Sequence, residues 1–285
     1  MGALALVASI ARLHIVAIGA MGALTFGFVF TGERPWLVAG LAALDWFVVN
    51  LLNRVVDLRE DTANGIRGAD VVARHRGLVL TVGVAVLLAS LVATAVLAPL
   101  LLLPRLAFHA LGFAYNWPLS GGRRLKQRYF WKNTASATGF VLTCFAAPLL
   151  AAHQLITSTT AIAATAVFFV LFELSYEVLY DLRDVEGDRL ADVRSYPVVH
   201  GIDGGWRIAF GLMAASCAAV FSAFALGLVP WRVAIMGTAP LIQLAWSARV
   251  RRRGITSKDC IGITWIGVAL LAGWHVWEAL GLPGA

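Results

Sequence analysis

The stretch NRVVDLRED, residues 53–61, follows an apolar run at 36–52 and gathers an amide, three carboxylates and two guanidiniums into nine positions. A second stretch, EVLYDLRDVEGD at 177–188, ends another apolar run with the same Asp-Leu-Arg-acid order, so residues 57–60 match 181–184 at a spacing of 124. The match reads as a diverged internal duplication. Charge gathered this way, in a chain that is 60% hydrophobic and 14% charged, needs a reason that covers both copies.

The surroundings set the fold class. A mean hydropathy of +0.79 leaves too little polar surface for a soluble domain, so the lipid bilayer is the expected environment. About 20 helical residues cross a hydrocarbon core. Nine apolar runs approach that length, at 12–31, 36–55, 77–97, 99–116, 134–153, 159–180, 206–228, 229–247 and 260–281. Spanning segments must satisfy their own backbone groups, which an open sheet in lipid does not do. The sequence therefore predicts an all-α, polytopic membrane helix bundle of about nine transmembrane helices, with residues 1–285 forming one domain because no long linker divides them. Pro99 and Pro104 interrupt a nearly continuous apolar stretch, so counts of eight or ten remain open. Arg12 follows rather than precedes the first apolar residues, unlike a cleavable signal.

Orientation follows from the 23 Lys and Arg. They crowd into alternate loops: Arg54 to Arg76, Arg123 to Lys132, Arg183 to Arg207 and Arg249 to Lys258; only Arg34, Arg105 and Arg232 fall on the other side. The positive-inside rule makes the basic loops cytoplasmic, with the N-terminus inside, the C-terminus outside and the active site on the cytoplasmic face. A bacterial or archaeal cytoplasmic membrane is the expected location. The net charge of +7 is then a topology signal and implies no nucleic-acid partner. Cys144, Cys217 and Cys260 have no paired spacing and read as small apolar packing residues, not as a disulfide framework or thiolate metal site.

Within the first acidic stretch, Asn53, Asp57 and Asp61 recur one helical turn apart and share a face, with Asn50 close to the same stripe. In the second, Glu177, Asp181, Asp184 and Asp188 follow the same rule if the helix continues past Gly187. Carboxylates stacked near a low-dielectric core repel. Salt-bridged helix ends are the plain explanation, with Arg54, Arg59, Arg183 and Arg189 as counter-charges. The sharper one is a pair of Mg2+ sites facing a diphosphate, because Mg2+ takes one or two carboxylates and fills its other positions with water and phosphate oxygens. Arg123, Arg124, Lys126, Arg128 and Lys132 lie in a loop free of acids and would complement the anion. That loop has no P-loop pattern, so Gly121-Gly122 reads as a turn.

Taken together, these motifs resemble the UbiA superfamily of intramembrane prenyltransferases. The resemblance is carried by Asn53-x-x-x-Asp57-x-x-x-Asp61, by YDLRDVEGDRLADVRSYPVVHG at 180–201 and by YNWPLSGGRRLK at 115–126, and it spans essentially the whole chain. It departs at Arg54, where many members carry Asp, and in a 115–126 loop a few residues longer than the common form. The resemblance implies Mg2+-dependent transfer of a polyprenyl group from a prenyl diphosphate donor to an aromatic or other lipophilic acceptor. It implies Asn53, Asp57 and Asp61 as ligands of one Mg2+ and Asp181, Asp184 and Asp188 as ligands of the other. Lys126, with Arg67 and Arg128, would grip the diphosphate, and Tyr115 matches the loop tyrosine.

Loss of diphosphate leaves an allylic cation that must be kept from water. Phe172, Tyr176, Tyr180, Trp46 and Phe47 are candidate cation-facing aromatics, with ordinary packing as the alternative. Arg12, Asp45, His109 and Glu173 are candidate acceptor groups, or else interhelical hydrogen bonds. The second motif is closer to the branch prenylating homogentisate, chlorophyllide or glycerol-phosphate acceptors than to the hydroxybenzoate branch. A membrane terpene cyclase, in which the cation is captured by its own double bonds, is the alternative within the superfamily. An ion transporter would carry acids across the membrane midplane, whereas here, Glu33 and Glu278 apart, they cluster on one side.

Overall fold

The computed structural model describes residues 3–118 and 122–282, which contain helices and no strand. In chain order these are α1 (Ala3–Ile10), α2 (Leu13–Thr31), α3 (Trp36–Val56), α4 (Leu58–Ala63), α5 (Ala69–Arg74), α6 (Arg76–Leu97) and α7 (Leu102–Asn116). There follow α8 (Trp131–Ala151), α9 (Thr159–Leu190), α10 (Tyr196–Ala225), α11 (Trp231–Val250) and α12 (Ser257–Ala279). Eight of them, α2, α3, α6 and α8 to α12, are long and apolar enough to cross a membrane. The 3-10 turn Pro99–Leu101 and the 15 residues of α7 together fill the fourth expected span. The protein is an all-α integral membrane bundle.

Each departure from the expected boundaries has a local cause. At 32 residues, α9 is about 48 Å long against a hydrocarbon core of about 30 Å, so it is longer than a membrane crossing needs, and its acidic end stays packed within the bundle. It runs through Gly187 instead of ending there. Gly201, at φ 73° and ψ 168°, breaks α10 near its start and separates a short surface turn from the membrane helix. In α8 a π-helical turn at Leu142–Ala146 precedes Pro148, whose missing N–H removes one rung of the helical ladder.

α2 packs on α3, α8 and α12; α9 packs on α8 and α10; α11 links α10 to α12, and the ring closes around a central space. α6 packs on α3 outside that ring and exposes most of its apolar surface to lipid. Aromatic side chains fill the centre of the bundle: Phe26 and Phe145 stack at 4.6 Å, Phe169 meets Phe26 edge-on at 5.0 Å, and Trp46 stacks on Phe140 at 4.1 Å. Cys144 and Cys260 are buried and Cys217 half-buried, all as free thiols.

A second polar cluster joins α3, α6 and α7. Arg105 donates through Nε and Nη2 to Asp45 at 2.5–3.1 Å and through Nη1 to Thr94 Oγ1 and the Ser90 carbonyl. His109 Nε2 lies 2.9 Å from the same carboxylate. Asp45 and His109 are thus interhelical hydrogen-bond partners, the second of the two readings their positions allowed. Arg105, assigned above to an outer loop, is buried.

Candidate active site

Both acidic stretches line one cavity of about 580 Å³. The first does so across a break, because α3 ends at Val56 and Asp57 leaves helical geometry at φ −93°, ψ 22°. The backbone rungs persist, from Asp57 N–H to Asn53 O at 2.9 Å and from Asp61 N–H to Asp57 O at 2.8 Å. Asn53, Asp57 and Asp61 therefore keep their turn-by-turn order, with Asn50 above them, although the helix expected through them is interrupted. On α9 the helix is continuous, and Glu177, Asp181, Asp184 and Asp188 all reach the cavity.

The two elements are held together by Asn64, whose Oδ1 accepts from the Gly187 N–H at 2.8 Å. A Cβ at residue 187 would lie 2.3 Å from Asn64 Nδ2, so only glycine admits this approach.

Every acidic side chain named for the two sites is paired with a cation. Arg54 donates to Asp61 at 2.7 Å and to the Ser9 carbonyl at 3.0 Å, which is what the residue departing from the common Asp does here. Asp57 and Glu60 share Lys126 and Arg124, with Arg124 at 3.1 Å from Asp57 and 2.5 Å from Glu60. Lys132 bridges Asp181 at 2.7 Å and Asp188 at 2.6 Å, Asn133 donates to Asp181, and Arg183 chelates Asp184. Among the described residues, no three His, Cys, Asp or Glu side chains stand together as a ready-made metal cluster.

The electrostatics of the first group can be read from its surroundings. Burial pushes the Glu60 carboxyl up to about 7, reinforced by its hydrogen bond with Asp57 and opposed by Lys126. Burial also acts upward on Asp57, but the Lys126 ammonium and, after it, the Arg124 guanidinium hold this carboxyl below the usual carboxylate range. The buried Asn53 Oδ1 has no hydrogen-bond partner. An orphaned amide oxygen beside Asp57 and Asp61, facing a cavity with three more carboxylates opposite, suits a hard cation that prefers oxygen.

Tyr115 and Lys126 line the cavity as expected, with the ammonium 5.9 Å from the Tyr115 ring centre. Tyr176, Tyr180, Phe172 and Trp46 line it too, as do Arg12 and Glu173; Phe47 does not. Arg67 and Arg128 are exposed and outside its wall, a correction to their reading as diphosphate contacts: each lies on a surface turn. Sequence reasoning named no site role for Glu60, Asn64, Asn116, Asn133 or Ser136. Spacing signalled Glu60 alone, one turn from Asp57. Of the loop 115–126, residues 119–121, including Gly121 of the expected turn, lie outside the described residues, and Gly122 adopts the positive φ of a turn at 73°.

The profile of the UbiA prenyltransferase family matches residues 48–261. This chain belongs to that family. UbiA enzymes transfer prenyl groups, and the matched segment contains both acidic stretches. A UbiA homolog from Archaeoglobus fulgidus bound to DMAPP and Mg2+ shares the fold with a TM-score of 0.70 at 16% identity, covering 94% of this chain and 97% of that one. The homolog bound to GPP and Mg2+ gives 0.69 at 16%, with the same coverage. A structure of digeranylgeranylglyceryl phosphate synthase gives 0.54 at 14%, with 95% of each chain covered. At these identities the likeness is one of fold. No curated protein matches the chain by sequence.

Proposed function

We propose that this UbiA-family chain, acting as one membrane domain, transfers a polyprenyl group from an allylic prenyl diphosphate to a lipophilic, aromatic acceptor with Mg2+ as cofactor. The observation that carries the reading is a single cavity with two facing carboxylate groups and their cations at one end and aromatic side chains at the other. The neighbouring fold bound to DMAPP and Mg2+ supports it. Asn53, Asp57 and Asp61 would hold one Mg2+, and Asp181, Asp184 and Asp188 the other. Bound there, Mg2+ would neutralise the diphosphate and stabilise the charge that grows on it as the allylic C–O bond breaks.

The protein's own groups do the rest. Lys126, Lys132 and Arg124 now neutralise the carboxylates and are placed to turn to the incoming diphosphate, where charge-assisted hydrogen bonds hold the leaving group. Phe172, Tyr176, Tyr180 and Trp46 line the cavity and would supply the aromatic surface for the allylic cation. The surrounding helices exclude water until the acceptor attacks. The basic face is cytoplasmic, with the start of α2 inside and the end of α12 outside, as the loop charges require.

The test is incubation of purified protein with Mg2+ and geranyl, farnesyl or geranylgeranyl diphosphate, with and without aromatic acceptors, reading products by mass spectrometry. A prenylated acceptor that disappears with EDTA is expected. A cyclised terpene formed without acceptor would move the same residues to cyclase chemistry. Asp57→Ala and Asp184→Ala should each lower kcat/KM by roughly 100-fold or more while the protein still elutes as a folded species in detergent; retained activity in both would sink the two-metal assignment.

A further inference from the structure

We infer that Glu173 and Tyr176 form the acceptor subsite, and that they select an uncharged acceptor bearing a hydroxyl group. The inference rests on the prenyl-transfer reading above and names the substrate class of that same cavity. Seven other carboxyls line the cavity, and each has a partner: Asp57, Glu60, Asp61, Asp181, Asp184 and Asp188 face cations, and Glu177 accepts from Ser136 Oγ at 2.7 Å. Glu173 has none. It is 9% exposed, lines the cavity, and among the described residues its carboxyl meets neither a cation nor a hydrogen-bond donor. Three residues along the same helix face, the buried Tyr176 hydroxyl is also unpartnered, whereas the neighbouring Tyr180 hydroxyl is engaged by Thr264 at 2.9 Å.

Unpaired polar groups in the interior of a membrane protein are costly and mark functional sites. These two are complementary to one ligand group, since a hydroxyl donates to the carboxyl and accepts from the phenol. Their depth fits an acceptor and not the diphosphate. Glu173 precedes Asp181 by eight residues, about 12 Å along the helix, and so stands apart from the carboxylates that would face the diphosphate.

Charge sets the selectivity. The cavity cations stand at the rim, among the carboxylates that would face the diphosphate: Lys126 beside Asp57, Lys132 beside Asp181 and Asp188, Arg183 beside Asp184, and Arg12 at 3.4 Å from Asn50 and 3.8 Å from Asp61. Among the described residues no cation contacts Glu173, so an acceptor carboxylate reaching it would sit beside the carboxyls of Glu173 and Glu177 without a counter-charge at that level. Repulsion of that kind discriminates against a competitor as effectively as attraction favours the proper ligand.

The experiment supplies farnesyl diphosphate and Mg2+ to wild type, Glu173→Leu, Glu173→Gln and Tyr176→Phe. Acceptors are methylhydroquinone and naphthohydroquinone against their ring-carboxylated counterparts. Donor-induced thermal stabilisation is measured separately, so a protein that does not bind donor disproves the prenyl-transfer reading and not merely the subsite. Wild type should favour the uncharged acceptors by about tenfold or more in kcat/KM, and Glu173→Leu and Tyr176→Phe should raise their KM by about tenfold, one good hydrogen bond. Glu173→Gln, which keeps an acceptor oxygen, should fall between, and donor stabilisation should be unchanged in both Glu173 variants. Equal or better turnover of the carboxylated acceptors, an unchanged KM in the variants, or donor binding without prenylation of any uncharged acceptor would overturn it.

Discussion

Asp57 and Glu60 show how the spacing of a motif can be visible in the sequence while the cations that face it are not. The spacing Asn53, Asp57, Asp61 is visible along one strip of chain. The two cations shared by Asp57 and Glu60 come from Arg124 and Lys126, more than sixty residues away, and only the folded loop brings them there. Their placement has a pH consequence. With the Glu60 carboxyl raised from 4.5 to about 7, the folded protein holds a proton between those values that the unfolded chain has released. The stabilisation is fully present below 4.5 and is lost as pH rises through 7. Asp57, held low, acts in the opposite sense and only in acid. The thermal midpoint in detergent should therefore fall as pH is raised through neutrality, and Glu60→Gln, which cannot ionise, should flatten that part of the profile.

At the scale of elements, helix lengths were largely legible because hydrocarbon thickness fixes them, and breaks were legible where proline stands. The course of α9 was left open by Gly187, a residue at which a helix can end; the helix continues because the glycine's role is lateral, admitting Asn64 against its backbone. Nothing near 187 in the sequence points to residue 64. Gly187→Ala should therefore push α4 away from the acidic end of α9, losing one hydrogen bond worth about 1 kcal/mol and lowering kcat/KM by about fivefold. Asn64→Ala should cost a similar amount. Because the two share one contact, the double variant should be no worse than either single one, a non-additivity that a double-mutant cycle measures directly. Additive losses would show that the two elements are held by something else.

At the scale of the whole molecule, hydropathy revealed the membrane bundle, and the two acidic stretches that the sequence set side by side line one cavity. The charge count misplaced Arg105, because a lone arginine beside Pro104 looks like part of a short outer loop. In the structure it is a buried staple joining three helices through Asp45, Thr94 and Ser90. It stands behind the cavity wall, since the neighbours of Asp45 and His109, Trp46 and Phe108, both face the cavity. Removing one partner of a buried ion pair strands the other charge, at a cost of about 3–5 kcal/mol, whereas replacing both by uncharged groups is often neutral. Arg105→Met should accordingly lower the thermal midpoint sharply, and adding Asp45→Asn should restore most of the loss. A topological arginine at the membrane surface would give the reverse pattern, with little effect of the first change and no rescue by the second.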